Sequence, residues 1–214
     1  MTLLRRDIKD LANIEKISDL PLMLKIMATR VSSLINEASL ARDCNCNVMT
    51  FRRYKALLEN MFIVFRVAPW FRNLGKRLVK TSKNYFNDTN MLCYLLGIDL
   101  DNVIQKNPII FGHILENFVA TELIKNLANI SGTSLFHFHT QDNYEVDFVL
   151  EKNNGDLVGI EVKSSSSVTI SDFKGLKKLQ ELAPDSFKCG IVLYTGSDIV
   201  PFANNMFAVP VGLC

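Results

Sequence analysis

The sequence predicts a mixed α/β protein, α+β overall, with a helical module at residues 1–98 and an αβββαβ domain at residues 99–214. Helical periodicity dominates the first part, whereas alternating strands dominate the second. Lys and Arg outnumber Asp and Glu by 16 to 8 in the first part, but are outnumbered by 14 to 8 in the second. This asymmetry predicts two modules with different partners, unless the basic side is only a solvated surface.

The composition excludes several classes of protein. Apolar runs such as Met61–Phe65 are too short to span a bilayer, so we expect no membrane partner. No basic and apolar leader opens the sequence, and the five cysteines are scattered without a CxxC pair, which favours a cytoplasmic protein without disulfides or zinc. The sequence has no GxxxxGK[ST] motif, so we expect no ATP site in this chain.

The first part has the pattern of a helix-turn-helix. Leu20–Ser33 is mostly apolar at helical spacing, and Asn36 can cap a short helix at Glu37–Asp43. A polar break then precedes a helix at about Met49–Asn60, whose apolar residues recur at spacings of three and four. Three basic residues fall largely outside this apolar stripe, as on a recognition helix: Arg52, Arg53 and Lys55.

The next segment predicts a hairpin, which makes the module a winged helix. Ile63–Ala68 is typical of a strand, Pro69–Gly75 of a turn, and Arg77–Lys80 with Tyr85-Phe86 of returning extended chain. Four further basic residues are expected on or near this wing as phosphate contacts: Lys76, Arg77, Lys80 and Lys83. Because winged-helix modules also dock proteins, DNA binding and protein docking both stay open.

The second part alternates helices and strands in a readable order. The helices are predicted at Gly112–Leu127 and at Asp172–Ala183, the latter capped by Ser171. The strands are predicted at Leu135–Thr140, Tyr144–Glu151, Leu157–Lys163 and Phe187–Tyr194. The last strand is almost continuously apolar, as a buried central strand should be.

Four side chains of this part predict metal-assisted phosphodiester hydrolysis. Glu116 projects into the apolar stripe of its helix, Asp147 projects from one strand, and Glu161 and Lys163 share a face of the next. Asp147 and Glu161 are expected to hold Mg²⁺, with Glu116 as an outer or additional ligand. Lys163 is expected to orient the attacking water or to offset transition-state charge. The alternative is a solvated strand face with an ordinary Lys–Glu pair.

The order α-β-β-β-α-β, together with Asp147 and Glu161-Val162-Lys163, resembles the PD-(D/E)xK nuclease superfamily, which includes archaeal Holliday-junction resolvases. The upstream helical Glu116 belongs to the same pattern. This resemblance implies a restriction-endonuclease-like fold and a Mg²⁺-dependent DNA nuclease site.

Nearly the whole chain resembles the C-terminal region of bacterial and archaeal AAA+-type ATPases that end in a domain of unknown function. The resemblance runs through Leu4-Arg5-Arg6-Asp7-Ile8, Leu40-Ala41-Arg42, Tyr54, Leu58-Glu59, Pro69-Trp70, Lys76-Arg77-Leu78, Lys83-Asn84-Tyr85-Phe86, Asp88, Leu115-Glu116-Asn117-Phe118-Val119, Glu145-Val146-Asp147-Phe148-Val149, Ile160-Glu161-Val162-Lys163 and Tyr194-Thr195-Gly196. It departs at Asn90, where Gly is expected, and at His139, where Arg is usual. The family implies a winged helix, a nuclease-like domain and an ATPase domain that this chain lacks, so an ATPase partner or self-association is expected.

Two functions and a third possibility stay open at this point. The first is a Mg²⁺-dependent DNA nuclease positioned by its winged helix. The second is a non-catalytic module that binds DNA or a partner protein, which the net charge of −6 and the absence of arginine in residues 99–214 favour. The third is a fragment of an ATPase-family protein without its ATPase domain.

Overall fold

The structure is a computed structural model that describes residues 19–72, 81–99, 103 and 107–213, and in these it shows a mixed α/β fold. The described α-helices are α1 Leu20–Ala28, α2 Glu37–Asp43, α3 Val48–Asn60, α4 Thr89–Leu96, α5 Pro108–Leu127 and α6 Lys174–Leu182. The strands are β1 Val64–Pro69, β2 Lys83–Phe86, β3 Thr133–His139, β4 Glu145–Lys152, β5 Leu157–Lys163, β6 Phe187–Tyr194, β7 Val200–Ala203 and β8 Met206–Pro210. They form one mixed sheet in the order β2-β1-β3-β4-β5-β6-β8-β7.

The side-chain cap predicted at Asn36 begins the second helix, and a cap that was not predicted, Asn47, begins the third. Asn36 accepts a hydrogen bond from the backbone N–H of Ser39 and so caps α2, while Asn47 caps α3 in the same way. The predicted helix at Leu20–Ser33 is shorter in the structure, since α1 ends at Ala28. The backbone at Ser32 adopts a φ of +56°, and its N–H donates to the carbonyl of Asn84 on β2 instead of continuing the helix.

The predicted hairpin is present, but its strands belong to the central sheet. β1 pairs antiparallel with β2, and β1 also runs parallel to β3 through the pairs Ala68–Phe136 and Pro69–His137. The strands therefore extend the sheet of the second part and are not exposed on both sides. Residues 73–75 of the predicted turn and the predicted extended chain at Arg77–Lys80 lie outside the described residues. The winged helix stays a prediction, as does the domain boundary after residue 98.

The second part shows the predicted order of one helix, three strands, one helix and one strand from α5 to β6. The cap of α6 differs from the prediction. A short 3-10 turn at Ile170–Phe173 precedes the helix, and Thr169 and Asp172 form its capping box, so Ser171 is not the cap. Three elements were not predicted: α4, β7 and β8. Asp88 caps α4, and Gly97 ends it with a φ of +66°.

Helices cover both faces of the sheet, and three buried apolar clusters result. On one face Val119 and Ala120 of α5 pack with Phe148 and Ile160, while on the other Leu176 and Leu179 of α6 belong to the second cluster. The helices α1–α4 share a third cluster with the start of α5. α5 therefore contacts both the helical part and the sheet, which places its residue Glu116 between them.

Candidate functional site

A cleft opens where two neighbouring strands of the sheet separate. β4 and β5 are paired from Glu151–Leu157 to Phe148–Ile160, and no further pair follows toward the start of β4. Beyond that point, the carboxylate of Asp147 takes the role of the missing strand partner, since its Oδ2 accepts the backbone N–H of Val162 at 2.9 Å. Because the strands stop pairing here, the Asp147 carboxylate satisfies the backbone N–H of Val162 and is held in place in the cleft.

The cleft has a volume of about 690 Å³ and brings the four predicted site residues together. Glu116 comes from α5, Asp147 from β4, and Glu161 and Lys163 from β5. The prediction that Glu116 projects inward is confirmed, because the residue is 9% exposed. The grouping agrees with the sequence-based expectation, while the catalytic and metal-binding roles stay predictions.

A buried lysine that the sequence analysis assigned elsewhere lies at the centre of this group. The ammonium of Lys83 is 3.0 Å from Glu116 Oε1, 3.0 Å from Asp147 Oδ1 and 2.7 Å from Glu145 Oε1. Its side chain is 2% exposed. Burying an isolated ammonium would cost several kcal/mol of solvation free energy. Here the attraction of three carboxylates offsets that cost.

Lys83 is therefore a correction to the expected set of phosphate contacts. It starts β2, and every residue of that strand is buried. A side chain enclosed by three carboxylates cannot also contact a nucleic-acid backbone at the surface.

Tyr85, also on β2, holds the carboxylate of Glu116 as Lys83 does. Its hydroxyl donates to Glu116 Oε1 at 2.7 Å, and its ring packs on Phe65 and Phe148 at centroid distances of 5.5 and 5.6 Å. The spacing of two residues places Lys83 and Tyr85 on one side of β2. That alternation is the signal by which the sequence analysis could have found both residues.

The second half of the cleft is formed by Glu161 and Lys163. The ammonium of Lys163 is 2.8 Å from Glu161 Oε1 and is partly exposed. The other oxygen, Glu161 Oε2, is buried and has no hydrogen-bond partner among the described residues. An unpartnered carboxylate oxygen in a polar cleft is a place where a ligand or ion can bind.

Burial and mutual repulsion weaken the acidity of two of these groups. Desolvation and then the charge of Asp147 raise the pKa of Glu116 to about 7 and that of Glu161 to about 8. Burial alone would lower the pKa of Lys83, but the surrounding carboxylates raise it well above its ordinary value, so this lysine stays charged. The cleft therefore holds more carboxylates than its own lysines neutralise.

The chemistry of these donors fits Mg²⁺, which prefers carboxylate oxygens. The excess of carboxylates and the unpartnered Glu161 Oε2 both favour a cation. Within the described part of the chain, however, no group of three or more His, Cys, Asp or Glu side chains is arranged so that it could hold a metal. The position between Glu116 and Asp147 belongs to the ammonium of Lys83 instead.

A serine and a histidine that the sequence analysis did not single out also line the cleft. Ser32 Oγ is 2.6 Å from Nδ1 of His113, which lies one turn before Glu116 on α5. Desolvation, helped by the charge of Lys83, lowers the pKa of His113, so its imidazole is neutral at neutral pH. The pair links the strained backbone at Ser32 to the helix that carries Glu116.

A basic groove of about 780 Å³ adjoins the cleft, and Leu34 lines both. Arg52, Lys55 and Arg66 line this groove, from α3 and β1. Glu37 of α2 contacts two of them, with 2.7 Å to Arg52 Nε and 2.8 Å to Lys55 Nζ. The structure thus places two of the predicted phosphate contacts in one groove, next to an acidic neighbour.

The other predicted phosphate contacts are not in this groove. Arg53 is exposed on α3 and has a partner of its own. Lys76, Arg77 and Lys80 lie outside the described residues. Arg66, which the sequence analysis did not single out, is exposed on β1 at the groove.

Two family models match the chain, one for each part. Residues 1–102 match a domain of unknown function, DUF8612. Residues 111–214 match a second domain of unknown function, DUF4143. The expected resemblance to a domain of unknown function is confirmed at this level.

Curated relatives are longer than this chain. An uncharacterized protein of Mycobacterium tuberculosis and one of Mycobacterium bovis are each 32% identical to it over 178 residues. That match covers 83% of this chain and 38% of each relative. The chain therefore spans well under half the length of the curated relatives it matches.

A solved structure of Thermococcus gammatolerans McrB AAA+ hexamers with bound McrC is also similar, at 11% identity and a TM-score of 0.36. The match covers 88% of this chain and 70% of that one. This TM-score is too low to define a shared fold. Among the described helices, none is long and apolar enough to cross a membrane.

Proposed function

We propose that the cleft is a Mg²⁺-dependent phosphodiesterase site that acts on DNA. The observation that carries this proposal is the meeting of Glu116, Asp147, Glu161 and Lys163 in one cleft from three elements. These residues come together although 47 positions separate the first from the last in the sequence. The unpartnered Oε2 of Glu161 supports a cation at this place.

Each residue has a role that follows from its position. Asp147 and Glu161 would hold the cation with one oxygen each, and Glu116 would act as an outer or additional ligand. The cation would polarise a phosphoryl oxygen and lower the pKa of a bound water. Lys163 is partly exposed at the cleft, so its ammonium can reach a phosphate oxygen and offset the charge that develops on it.

The basic groove supplies the attraction for a polyanion that the acidic cleft lacks. Arg52, Lys55 and Arg66 would contact phosphates there, and Leu34 lines both the groove and the cleft. Lys76, Arg77 and Lys80, which the sequence places on a wing, would extend this surface. The resemblance to C-terminal regions of AAA+-type ATPases supports an ATPase partner for the module.

The test is a cleavage assay with linear, circular and branched DNA in Mg²⁺ or Mn²⁺. We expect cleavage by the chain and its loss in both Asp147→Asn and Lys163→Ala. Lys125→Ala is the matched control, because Lys125 pairs with Glu122 on the exposed surface of α5. Cleavage that survives in both site variants would show that another protein or another site is responsible.

A non-catalytic module that binds DNA or a protein is the second candidate, and one observation favours it. Lys83 already occupies oxygens of Glu116 and Asp147 that a cation needs, so the cluster can serve as an internal ion-pair network. DNA binding without cleavage in either metal, on all three substrates, would favour this candidate over the nuclease.

A further inference from the structure

Lys83 joins three elements through one atom. Its ammonium contacts Glu116 on α5 and both Glu145 and Asp147 on β4, while its backbone belongs to β2. The side chain is nearly inaccessible to solvent. Taking these four charges out of water is costly, so the network needs every one of its contacts.

The ammonium and a divalent cation compete for the same oxygens. Mg²⁺ binds carboxylate oxygens at about 2.0–2.1 Å, which is closer than the ammonium lies in a hydrogen bond. Glu116 Oε1 and Asp147 Oδ1 both point at Lys83 Nζ from 3.0 Å. The proposed cation between Asp147 and Glu161 would use Asp147 Oδ1, because Oδ2 accepts the Val162 N–H. With Glu116 as its additional ligand, it would take both oxygens that the ammonium holds and would meet the charge of the ammonium at close range.

From this competition we propose that Lys83 is the resident counter-cation of the cleft, and that a divalent cation binds only when the ammonium leaves Glu116 and Asp147. The proposal rests on the proposed function, because it concerns the same cation. It makes Lys83 a positioning residue: the metal-free cleft is held in shape by an internal charge, and that charge sets the affinity for metal.

Glu145 gives the displaced ammonium a place to go. It makes the shortest of the three contacts, 2.7 Å, and its side chain is 43% exposed, so it lies at the rim of the cleft. The long lysine stem can keep this contact while its head moves toward solvent. Tyr85 keeps Glu116 in position meanwhile, through its hydrogen bond of 2.7 Å.

The first experiment measures the binding of Mn²⁺ to the wild-type chain and to Lys83→Met by calorimetry. We expect the variant to bind Mn²⁺ about tenfold more tightly or better, since a like charge has left the site. Lys125→Met, which removes an exposed lysine, should bind as the wild type does. Unchanged or weaker binding by a folded Lys83→Met would overturn the proposal.

The variant leaves three carboxylates without their lysine and can therefore fail to fold without metal. In that case the melting temperature is the measurement. We expect Mn²⁺ to raise the melting temperature of Lys83→Met far more than that of the wild type, because the cation replaces the missing charge. A variant that stays unfolded in saturating Mn²⁺ would overturn the proposal equally.

A second measurement uses the wild-type chain alone. Reductive methylation read by mass spectrometry should spare Lys83 without metal and label it in Mn²⁺, while exposed Lys125 is labelled in both conditions. Lys83 that stays protected at saturating Mn²⁺ would refute the displacement. The two proposals can fail separately: metal binding with displacement but no cleavage refutes only the nuclease, and cleavage with Lys83 still protected refutes only the displacement.

Discussion

Two groups of ion pairs, one at the basic groove and one in the cleft, use the same chemistry in different surroundings. In the groove Glu37 contacts Arg52 and Lys55, and the arginine side chain is 58% exposed. In the cleft Lys83 contacts its three carboxylates with a side chain that is 2% exposed. Water and salt screen the first group, whereas the protein itself must compensate every charge of the second.

The difference in exposure suits the groove to binding phosphates and the cleft to holding carboxylates in fixed positions. The Arg52 pair is largely exposed and exchanges easily, so Arg52 can leave Glu37 for a phosphate, whereas Lys55 is 12% exposed and keeps its contact with Glu37 more firmly. Buried pairs are strong and exact in geometry, so the cleft can hold carboxylates together that would otherwise repel each other. Loss of a charge should therefore change the stability of the cleft and the affinity of the groove.

The largest effect is expected for Asp147→Ala. The change leaves the buried ammonium of Lys83 with two carboxylates and the half-buried N–H of Val162 without its acceptor. We expect the free energy of unfolding to fall by about 3 kcal/mol, measured by urea denaturation. Asp142→Ala, at an exposed turn before β4, is the control and should change little. An equal loss in both variants would contradict the contrast between the two regions.

A pH-dependent loss of stability is expected from His137, which is 1% exposed on β3. Burial, and then the charge of Lys83, lowers its pKa from 6.5 to about 4, against smaller opposing effects of Asp147 and the Thr81 carbonyl, with His139 adding to the lowering. The His137 imidazole is therefore protonated below about pH 6.5 in the unfolded chain, but only below about pH 4 in the folded chain. Stability should fall over this window as the pH falls, by about 3 kcal/mol at its end.

Urea denaturation between pH 7 and pH 4 tests this prediction. His137→Gln should flatten the part of the pH dependence that this group causes, whatever its effect on stability at pH 7. His139→Gln puts the same amide on the same strand and is the control. A pH dependence that is identical in the wild type and in His137→Gln would contradict the prediction.

A moderate effect on DNA affinity is expected for Arg66→Ala. The loss of one phosphate contact should weaken binding severalfold and reduce the slope of log affinity against log salt by about 1. Fluorescence anisotropy at several salt concentrations measures both quantities. Lys125→Ala, outside the groove, should leave the slope unchanged. A slope unchanged in Arg66→Ala would remove this residue from the interface.

The smallest effect on stability is expected for Glu37→Gln. The pair with Arg52 is largely exposed and contributes little, whereas Lys55 is 12% exposed, so the free energy of unfolding should fall by about 1 kcal/mol. DNA should bind more tightly, because Arg52 and Lys55 lose the carboxylate that competes with phosphate. The same DNA titration measures this, with Glu122→Gln on α5 as the control. Weaker DNA binding in Glu37→Gln would show that Glu37 orders the groove instead of competing for it.

Local signals in the sequence predicted much of the fold. Asn36 and its helix agree with the prediction to the residue, as do the strands Leu157–Lys163 and Phe187–Tyr194. These elements depend on caps and on apolar periodicity, which are properties of a short segment. Elements without a strong pattern, such as β7 and β8, were missed because the sheet that they join stabilises them.

Some residues of the cleft could likewise be predicted from local sequence patterns, and others could not. Strand alternation and helical spacing were enough to group Glu116, Asp147, Glu161 and Lys163, since each projection follows from its own element. The role of Lys83 could not be predicted in this way. Its surroundings come from α5 and β4, which are 33 and 64 residues away along the chain.

The sequence by itself determined most of the elements and their order, the charge asymmetry and four of the charged residues of the cleft, because each is written in local pattern or composition. Only the tertiary structure decided that the hairpin joins the sheet, that Glu37 faces the basic groove and that Lys83 lies among three carboxylates. The physical reason is that burial and partnership of a charge depend on segments distant in sequence. A lysine in a basic stretch is therefore a surface cation or a buried counter-ion according to the packing around it.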